Sequence, residues 1–142
     1  MWNRITDKII FYYVDANYYI LDSTFMITGE NLKFLIAILN SSVIGYWIKL
    51  SAATLGDGSY GAKIYIENSP ILPITPQNQP LVSQIESLVD QILTITMQPD
   101  YDPDSSTEST QKVKSLESQI DRLVYQLYGL TDEEIKIIEG GE

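Results

Sequence analysis

The stretch Ile9-Ile10-Phe11-Tyr12-Tyr13-Val14-Asp15-Ala16-Asn17-Tyr18-Tyr19-Ile20-Leu21-Asp22-Ser23-Thr24-Phe25-Met26-Ile27-Thr28 decides the fold class. β-Branched and aromatic residues fill 9–14, 18–21 and 24–28, and such runs fit the half-buried, pleated surface of a sheet. Between them, Asp15-Ala16-Asn17 and Asp22-Ser23 carry short polar side chains that bond their own backbone and favour turns. The stretch predicts a small antiparallel meander. Large side chains point to both of its faces, so at least one face needs a cover.

The cover follows directly. Leu32, Leu35, Ile36, Leu39, Val43, Tyr46, Trp47 and Leu50 recur at spacings of three and four, the period of a helix with one apolar face. The spacing predicts a helix over about 30–49, started by Thr28 or Gly29, with a break near Asn40-Ser41-Ser42. The segment Leu32–Leu50 is apolar enough to raise the question of a membrane. Its clean run from Phe34 to Ile48 is 15 residues and contains Asn-Ser-Ser, short of the ~20 that a span needs. A buried core helix is expected. Ser51–Ala62, rich in glycine and hydroxyls, reads as a loop. Lys63–Ile66 reads as a short strand, and Ser69–Pro76, with prolines spaced by apolar pairs, as an extended crossover.

Beyond Pro76 the pattern is helical. Pro80 suits the first position of a helix, because its missing N–H has no partner there in any case. Leu81, Ile85, Leu88, Ile92 and Ile95 then form a heptad seam, as do Val113, Leu116, Ile120, Leu123 and Leu127. Residues 99–111, acidic and rich in Ser and Thr, read as a mobile loop joining two antiparallel helices. Gly129 fits the position just past the second helix. Thr131 and Glu134 fit a capping box opening a short last helix with Ile135 and Ile138 inward. The expected class is therefore α+β. A small, mostly antiparallel sheet with a packed helix occupies 1–76, and a helical hairpin with a short C-terminal helix occupies 77–142.

Composition limits the chemistry. The 142 residues hold neither Cys nor His, which excludes disulfides, thiolate nucleophiles, Cys/His zinc sites and Ser-His-Asp triads. The charge is uneven. Residues 1–76 carry five cationic and six acidic side chains, and 77–142 carry four and thirteen, so nearly all of the net charge of −10 lies in the second part. The first part holds most of the aromatic residues, and a polyanion would have to meet the chain there. Met1-Trp2-Asn3-Arg4 lacks the apolar core of a secretory signal, so a cytoplasmic location is expected.

Three patterns imitate active sites. Gly56-Asp57-Gly58-Ser59-Tyr60-Gly61 has the spacing of a dinucleotide-binding loop but not its strand-before, helix-after context. Asp100 with Glu134-Ile135-Lys136 has the composition of a nuclease site, yet the first lies in the expected loop and the second is a helix cap. Asp100-Tyr101-Asp102-Pro103-Asp104 lacks the glycine and the bidentate glutamate of a calcium loop. No metal, cofactor or catalytic residue is expected in the chain.

The string Asn31-Leu32-Lys33-Phe34-Leu35-Ile36-Ala37-Ile38-Leu39-Asn40-Ser41, the string Lys63-Ile64-Tyr65-Ile66-Glu67-Asn68-Ser69-Pro70-Ile71 after a glycine-rich loop, and the ending Leu123-Val124-Tyr125-Gln126-Leu127-Tyr128-Gly129-Leu130-Thr131 together carry a resemblance. In order and spacing they resemble the C-terminal target-recognition (specificity) domain of Taq-type adenine-N6 DNA methyltransferases. The closest version is the one fused to type II restriction-modification enzymes. The order also resembles the recognition domains of type I specificity subunits, where a helical hairpin follows. The similarity spans about Ile9 to Glu139. The chain has no Asn/Asp-Pro-Pro-Tyr/Phe motif and no S-adenosylmethionine loop, so the resemblance implies a reader without its catalyst, a C-terminal fragment of a longer enzyme. S-adenosylmethionine would belong to the parent's catalytic domain. The implied partners are double-stranded DNA and that catalytic domain, with no membrane. The family's enzymes flip the target adenine into the catalytic pocket, and the recognition domain sets which adenine is presented.

On this reading the glycine loop approaches the duplex. Asp57 and Ser59 meet base edges, while Tyr60, Lys63 and Tyr65 pack on or pair with the backbone. Arg4, Lys8 and Lys49 supply further phosphate contacts. Tyr12, Tyr13, Tyr18 and Tyr19 read as half-buried strand residues rather than stacking platforms, and Tyr46 and Trp47 as core. The alternative is an interaction or dimerisation module, with the acidic hairpin docking a partner or a second copy.

Overall fold

The computed structural model describes residues 1–3, 10–15, 17, 19–20, 24–55 and 63–140. Two compact units divide the chain, Met1–Leu72 and Pro73–Glu142. All thirteen carboxylates counted in the second part of the sequence fall in the second unit.

Helices dominate the described residues, which overturns the α+β expectation. Strand pairing among them is confined to one antiparallel contact of two residues a side. Here β1 (Trp2–Asn3) meets β2 (Thr24–Phe25), with Trp2 opposite Phe25 and Asn3 opposite Thr24. No meander is present among the described residues of 10–28; Ile9, Tyr18 and Leu21 of the expected strands lie outside them. Residues 10–15 hold no strand, and Tyr19 and Ile20 are exposed. The physical reason lies in what satisfies the backbone. The Phe11 N–H donates to Asn40 Oδ1, and Asn40 Nδ2 donates to the Phe11 carbonyl, both at 2.9 Å. Tyr12 exchanges backbone bonds with Met1 instead, also at 2.9 Å in each direction. Successive residues thus bond on opposite sides, as in a strand. One side, however, is met by a side-chain amide, so no ladder propagates. Strand propensity reports packing against cross-strand neighbours, and among the described residues of 10–28 only Thr24 and Phe25 have them, at Asn3 and Trp2.

The helical core of the first unit is α1 (Leu32–Asn40), α2 (Ser42–Leu55) and α3 (Lys63–Glu67). The break expected at Asn40–Ser42 falls at Ser41, where the axis turns by 60°. Ser41 is buried, and its hydroxyl serves both helices. It donates to the Ile38 carbonyl at 2.6 Å, and it accepts from the Ile44 N–H at 3.4 Å. One hydroxyl thereby adds a second bond to the Ile38 carbonyl, which also accepts from the Ser41 N–H, and serves an orphan donor at the start of α2. The start of α1 differs from expectation. Asn31, not Thr28 or Gly29, precedes it, with a left-handed φ of 55° and no side-chain cap. Phe11, Phe34, Ile38, Ile44, Ile48 and Tyr65 are among the buried residues of this unit.

Lys63–Glu67 is a helix, not the expected strand. Tyr65 and Ile66 are both buried although adjacent. In a strand adjacent side chains point to opposite faces, which would require a cover on both. In a helix they lie about 100° apart and share one broad apolar face.

The second unit is α4 (Gln79–Thr96), α5 (Glu108–Leu127) and α6 (Asp132–Ile138). Pro80 occupies the first turn of α4, one position later than expected. The preceding turn is closed by Asn78, whose side chain accepts from the Thr75 N–H at 2.8 Å and donates to the Pro73 carbonyl at 2.9 Å. α4 and α5 pack along each other as the hairpin. On α5 the buried residues Val113, Leu116, Ile120 and Val124 follow the expected seam up to its last turn. On α4 the seam is rotated by one residue. Val82, Ile85 and Val89 are buried, and Leu81 and Leu88 stand half-buried on its flank.

The loop expected over 99–111 is shorter, because α5 begins at Glu108. Thr107 caps it, and the hydroxyls of Ser105, Thr107 and Thr110 lie within 3.0–3.1 Å of one another. Ser105 also donates to the Asp102 carbonyl at 2.7 Å. At the far end Gly129 takes a left-handed φ of 64°, which a side chain would resist. The Gly129 N–H donates to the Gln126 carbonyl and the Leu130 N–H to the Tyr125 carbonyl, the pair of bonds that closes a helix end. The capping box of α6 forms as expected, with Thr131 and Glu134 each bonding the other's backbone.

Candidate functional site

Five of the expected DNA-contacting residues, Arg4, Lys8, Asp57, Ser59 and Tyr60, lie outside the described residues. The other three are placed. Lys49 is exposed on α2, one residue before Leu50, which is also exposed. Lys63 opens α3 and is exposed. It pairs with Glu67 at 3.1 Å, one turn along. Such an exposed pair contributes only about 0.3–0.5 kcal/mol, and here Lys precedes Glu, the weaker orientation. Its ammonium therefore exchanges readily for a stronger anion.

Tyr65 does not belong with them. It is 3% exposed and part of the core, so it cannot lie on a DNA backbone. Its backbone carbonyl accepts from the Ser69 hydroxyl at 3.0 Å, which helps to close α3 before Pro70. The adjacent Ile64 is the exposed apolar residue of that helix.

The two placed lysines thus bracket the glycine-rich stretch, one on the helix that runs into it and one on the first residue after it. Helix α2 extends to Leu55, further into the Ser51–Ala62 segment than a loop over all of it would allow.

The Asn40-Ser41 junction is more specific in structure than its sequence shows. The Asn40 amide holds Phe11 in place by two backbone bonds, and Ser41 turns the chain. Beside it, Tyr12 and Ile27 meet Leu35 and Ile36 over an apolar crevice of about 50 Å³. That volume is too small for an organic ligand, and apolar walls do not hold water well.

A second concavity lies on the hairpin, between Ser83, Gln84, Ser87 and Leu88 of α4 and Gln119, Arg122 and Leu123 of α5, with a volume of about 540 Å³. Heptad spacing places Leu88 and Leu123 in the buried seam. The rotation of α4 brings Leu88 to the groove instead, beside serine and glutamine side chains and the Arg122 guanidinium. Among the described residues no group of three His, Cys, Asp or Glu converges where a metal ion could sit. Comparison with protein-family models, with curated proteins and with solved structures finds no match to this chain.

Proposed function

We propose that the chain is a DNA sequence-recognition module of a restriction-modification adenine-specific methyltransferase, acting without a catalytic centre of its own. The observation that carries the reading is the ordered set of motifs around the glycine-rich stretch, with exposed Lys49 and Lys63 on either side of it. Glycines let a backbone come close to a duplex, and flanking cations hold the phosphates on either side of the approach. Base edges would then be read by Asp57 and Ser59, with an Asp accepting from a cytosine amino group. The parent's catalytic domain would supply S-adenosylmethionine and the methyl transfer. This chain's residues would contribute register and choice of site.

The test is binding to a labelled random duplex across a salt series, with Lys49→Ala and Lys63→Ala beside the unchanged chain. Each phosphate contact removed should lower the log–log salt slope by about 0.9. Absence of binding by the unchanged chain at low salt would refute it as a reader in its own right. Equal slopes in all three would remove the two lysines from the interface.

A further inference from the structure

We infer that α4 packs against α4 of a second copy of this chain, each seated in the other's groove, so that two hairpins join as a four-helix bundle; this is independent of the DNA-recognition reading. The observation is that the apolar arc of α4 is wider than its partner α5 covers. Val82, Ile85 and Val89 are buried and form the seam of the hairpin. Leu81, Leu88, Ile92 and Ile95 make a second stripe at spacings of seven, four and three, and all four are only half-buried.

That stripe and the groove lie together. Each residue of a helix is turned by about 100° from the last, so residues just before and just after a seam position fall on opposite flanks. Leu81 and Leu88 precede Val82 and Val89, and Leu123 of α5 precedes Val124. In an antiparallel pair the preceding residues share one side, and Leu88 and Leu123 indeed line the same groove of about 540 Å³. The small side chains of Ser83 and Ser87 at its rim leave room for the ridge of an incoming helix.

Charge selects the occupant. The chain carries a net charge of −10, so two copies avoid like-charge contact only where carboxylates are missing. None lines the groove. Both acidic residues of α4, Glu86 and Asp90, follow seam positions, as Glu117 and Asp121 do on α5, and so lie on the opposite side. Glu108 is at the far end of α5, with Lys112 one turn on. Arg122 of the groove has no ion-pair partner among the described residues, and the incoming flank of α4 brings the amide oxygens of Gln84 and Gln91 as acceptors. The stripe also matches itself. Leu81 and Ile95 stand seven residues either side of Leu88, so an antiparallel two-fold pairing sets Leu81 against the partner's Ile95 and brings the two Leu88 together. The strip is about 27 Å long, less than a standard interface, so association is weak and concentration-dependent.

The experiment is sedimentation equilibrium of the full chain from low micromolar to millimolar concentration, with helix content checked by circular dichroism. Leu88→Glu and the milder Gln84→Glu, at an exposed position that the fold does not need, are compared with Ser118→Glu, which adds the same charge on the far side of α5. Dimer is expected for the unchanged chain and for Ser118→Glu. Leu88→Glu should weaken it about thirtyfold or more, and Gln84→Glu in the same direction. Raising salt should strengthen the dimer, because it screens the repulsion between two acidic chains, whereas it weakens binding to DNA. The chain has no cysteine, so Leu88→Cys treated with diamide should give a disulfide-linked dimer and Ser118→Cys should not. A monomer at every concentration overturns the inference. So does a dimer that tolerates both groove variants, or cross-linking no faster at residue 88 than at residue 118. None of these results bears on whether the chain binds DNA.

Discussion

Replacing Asn40 tests whether one side-chain amide takes the place of a strand. Its two 2.9 Å bonds to Phe11 are partly buried, and Phe11 itself is 5% exposed. At a net ~1 kcal/mol for each bond, with an added cost for backbone groups left poorly satisfied, Asn40→Ala should cost about 2–3 kcal/mol. Asn40→Asp is the sharper variant. Its carboxylate can still accept from the Phe11 N–H, but its other oxygen would face the Phe11 carbonyl that Asn40 Nδ2 now serves. Two acceptors repel, so the fold favours the neutral acid, which can both accept and donate, and the carboxyl pKa rises above its unfolded value of about 3.9. The folded state then binds more protons than the unfolded one. The stabilisation is present at low pH and is lost as pH rises through the folded pKa. Asn40→Asp should therefore approach the original protein near pH 4 and fall towards Asn40→Ala at pH 7. The assay is urea unfolding followed by tryptophan fluorescence, because both tryptophans, Trp2 and Trp47, lie in the first unit and report on it alone. With a slope of ~1 kcal/mol per molar urea for so small a unit, Asn40→Ala should move the midpoint by about 2 M. A loss below about 0.5 kcal/mol in Asn40→Ala, or a pH-independent deficit in Asn40→Asp, would refute the clamp.

Other substitutions check the remaining elements. Ile85→Ala removes a fully buried side chain from the hairpin and should cost about 2–5 kcal/mol, whereas half-buried Leu88→Ala should cost clearly less; thermal melts by far-UV circular dichroism rank the two, and the reverse order would restore the unrotated seam. Thr131→Ala breaks the capping box of α6 and should lose about 1 kcal/mol, read from chemical unfolding. Gly129→Ala forces a methyl group into a left-handed backbone and should destabilise by about 1 kcal/mol, where the same change at exposed Gly45 inside α2 should be neutral or stabilising. Ser41→Ala leaves the end of α1 and the start of α2 without their shared hydroxyl and should cost about 1–3 kcal/mol in the tryptophan-monitored transition.

What the sequence makes legible follows from how local each signal is. The capping box at Thr131, the glycine after α5 and the break at Ser41 are each written within a few residues, and the structure has all three. The hairpin seam is legible in period but not in phase. Leu81-Val82 and Leu88-Val89 offer two equally apolar registers one residue apart, and only packing against α5 chooses the valines. The run Ile9–Val14 has the composition of a strand, but a strand also needs a partner. The backbone of Phe11 and Tyr12 finds an Asn side chain and Met1 instead. Lys63–Ile66 is too short for periodicity to separate strand from helix. For the candidate site, Lys49 and Lys63 are exposed, which leaves them accessible to a partner, while Tyr65, two residues from Lys63, is claimed by the core. The groove on the hairpin was hidden because it depends on the rotation of α4.

The Asn40-Ser41 junction also controls how the molecule ages. An asparagine followed by serine loses ammonia when the next backbone nitrogen attacks its side-chain carbon, and water opens the resulting ring to aspartate or isoaspartate. Both reactants are engaged here. The Ser41 N–H donates to the Ile38 carbonyl at 3.1 Å, and the Asn40 amide is held by Phe11 at both ends. Deamidation must therefore proceed through molecules that have opened, and its rate in a stored sample counts openings of the first unit. A molecule so altered gains a negative charge where the fold needs a donor. It closes again with a weaker hold on its N-terminal segment, so the chemical scar sits on the bond whose loss allowed it.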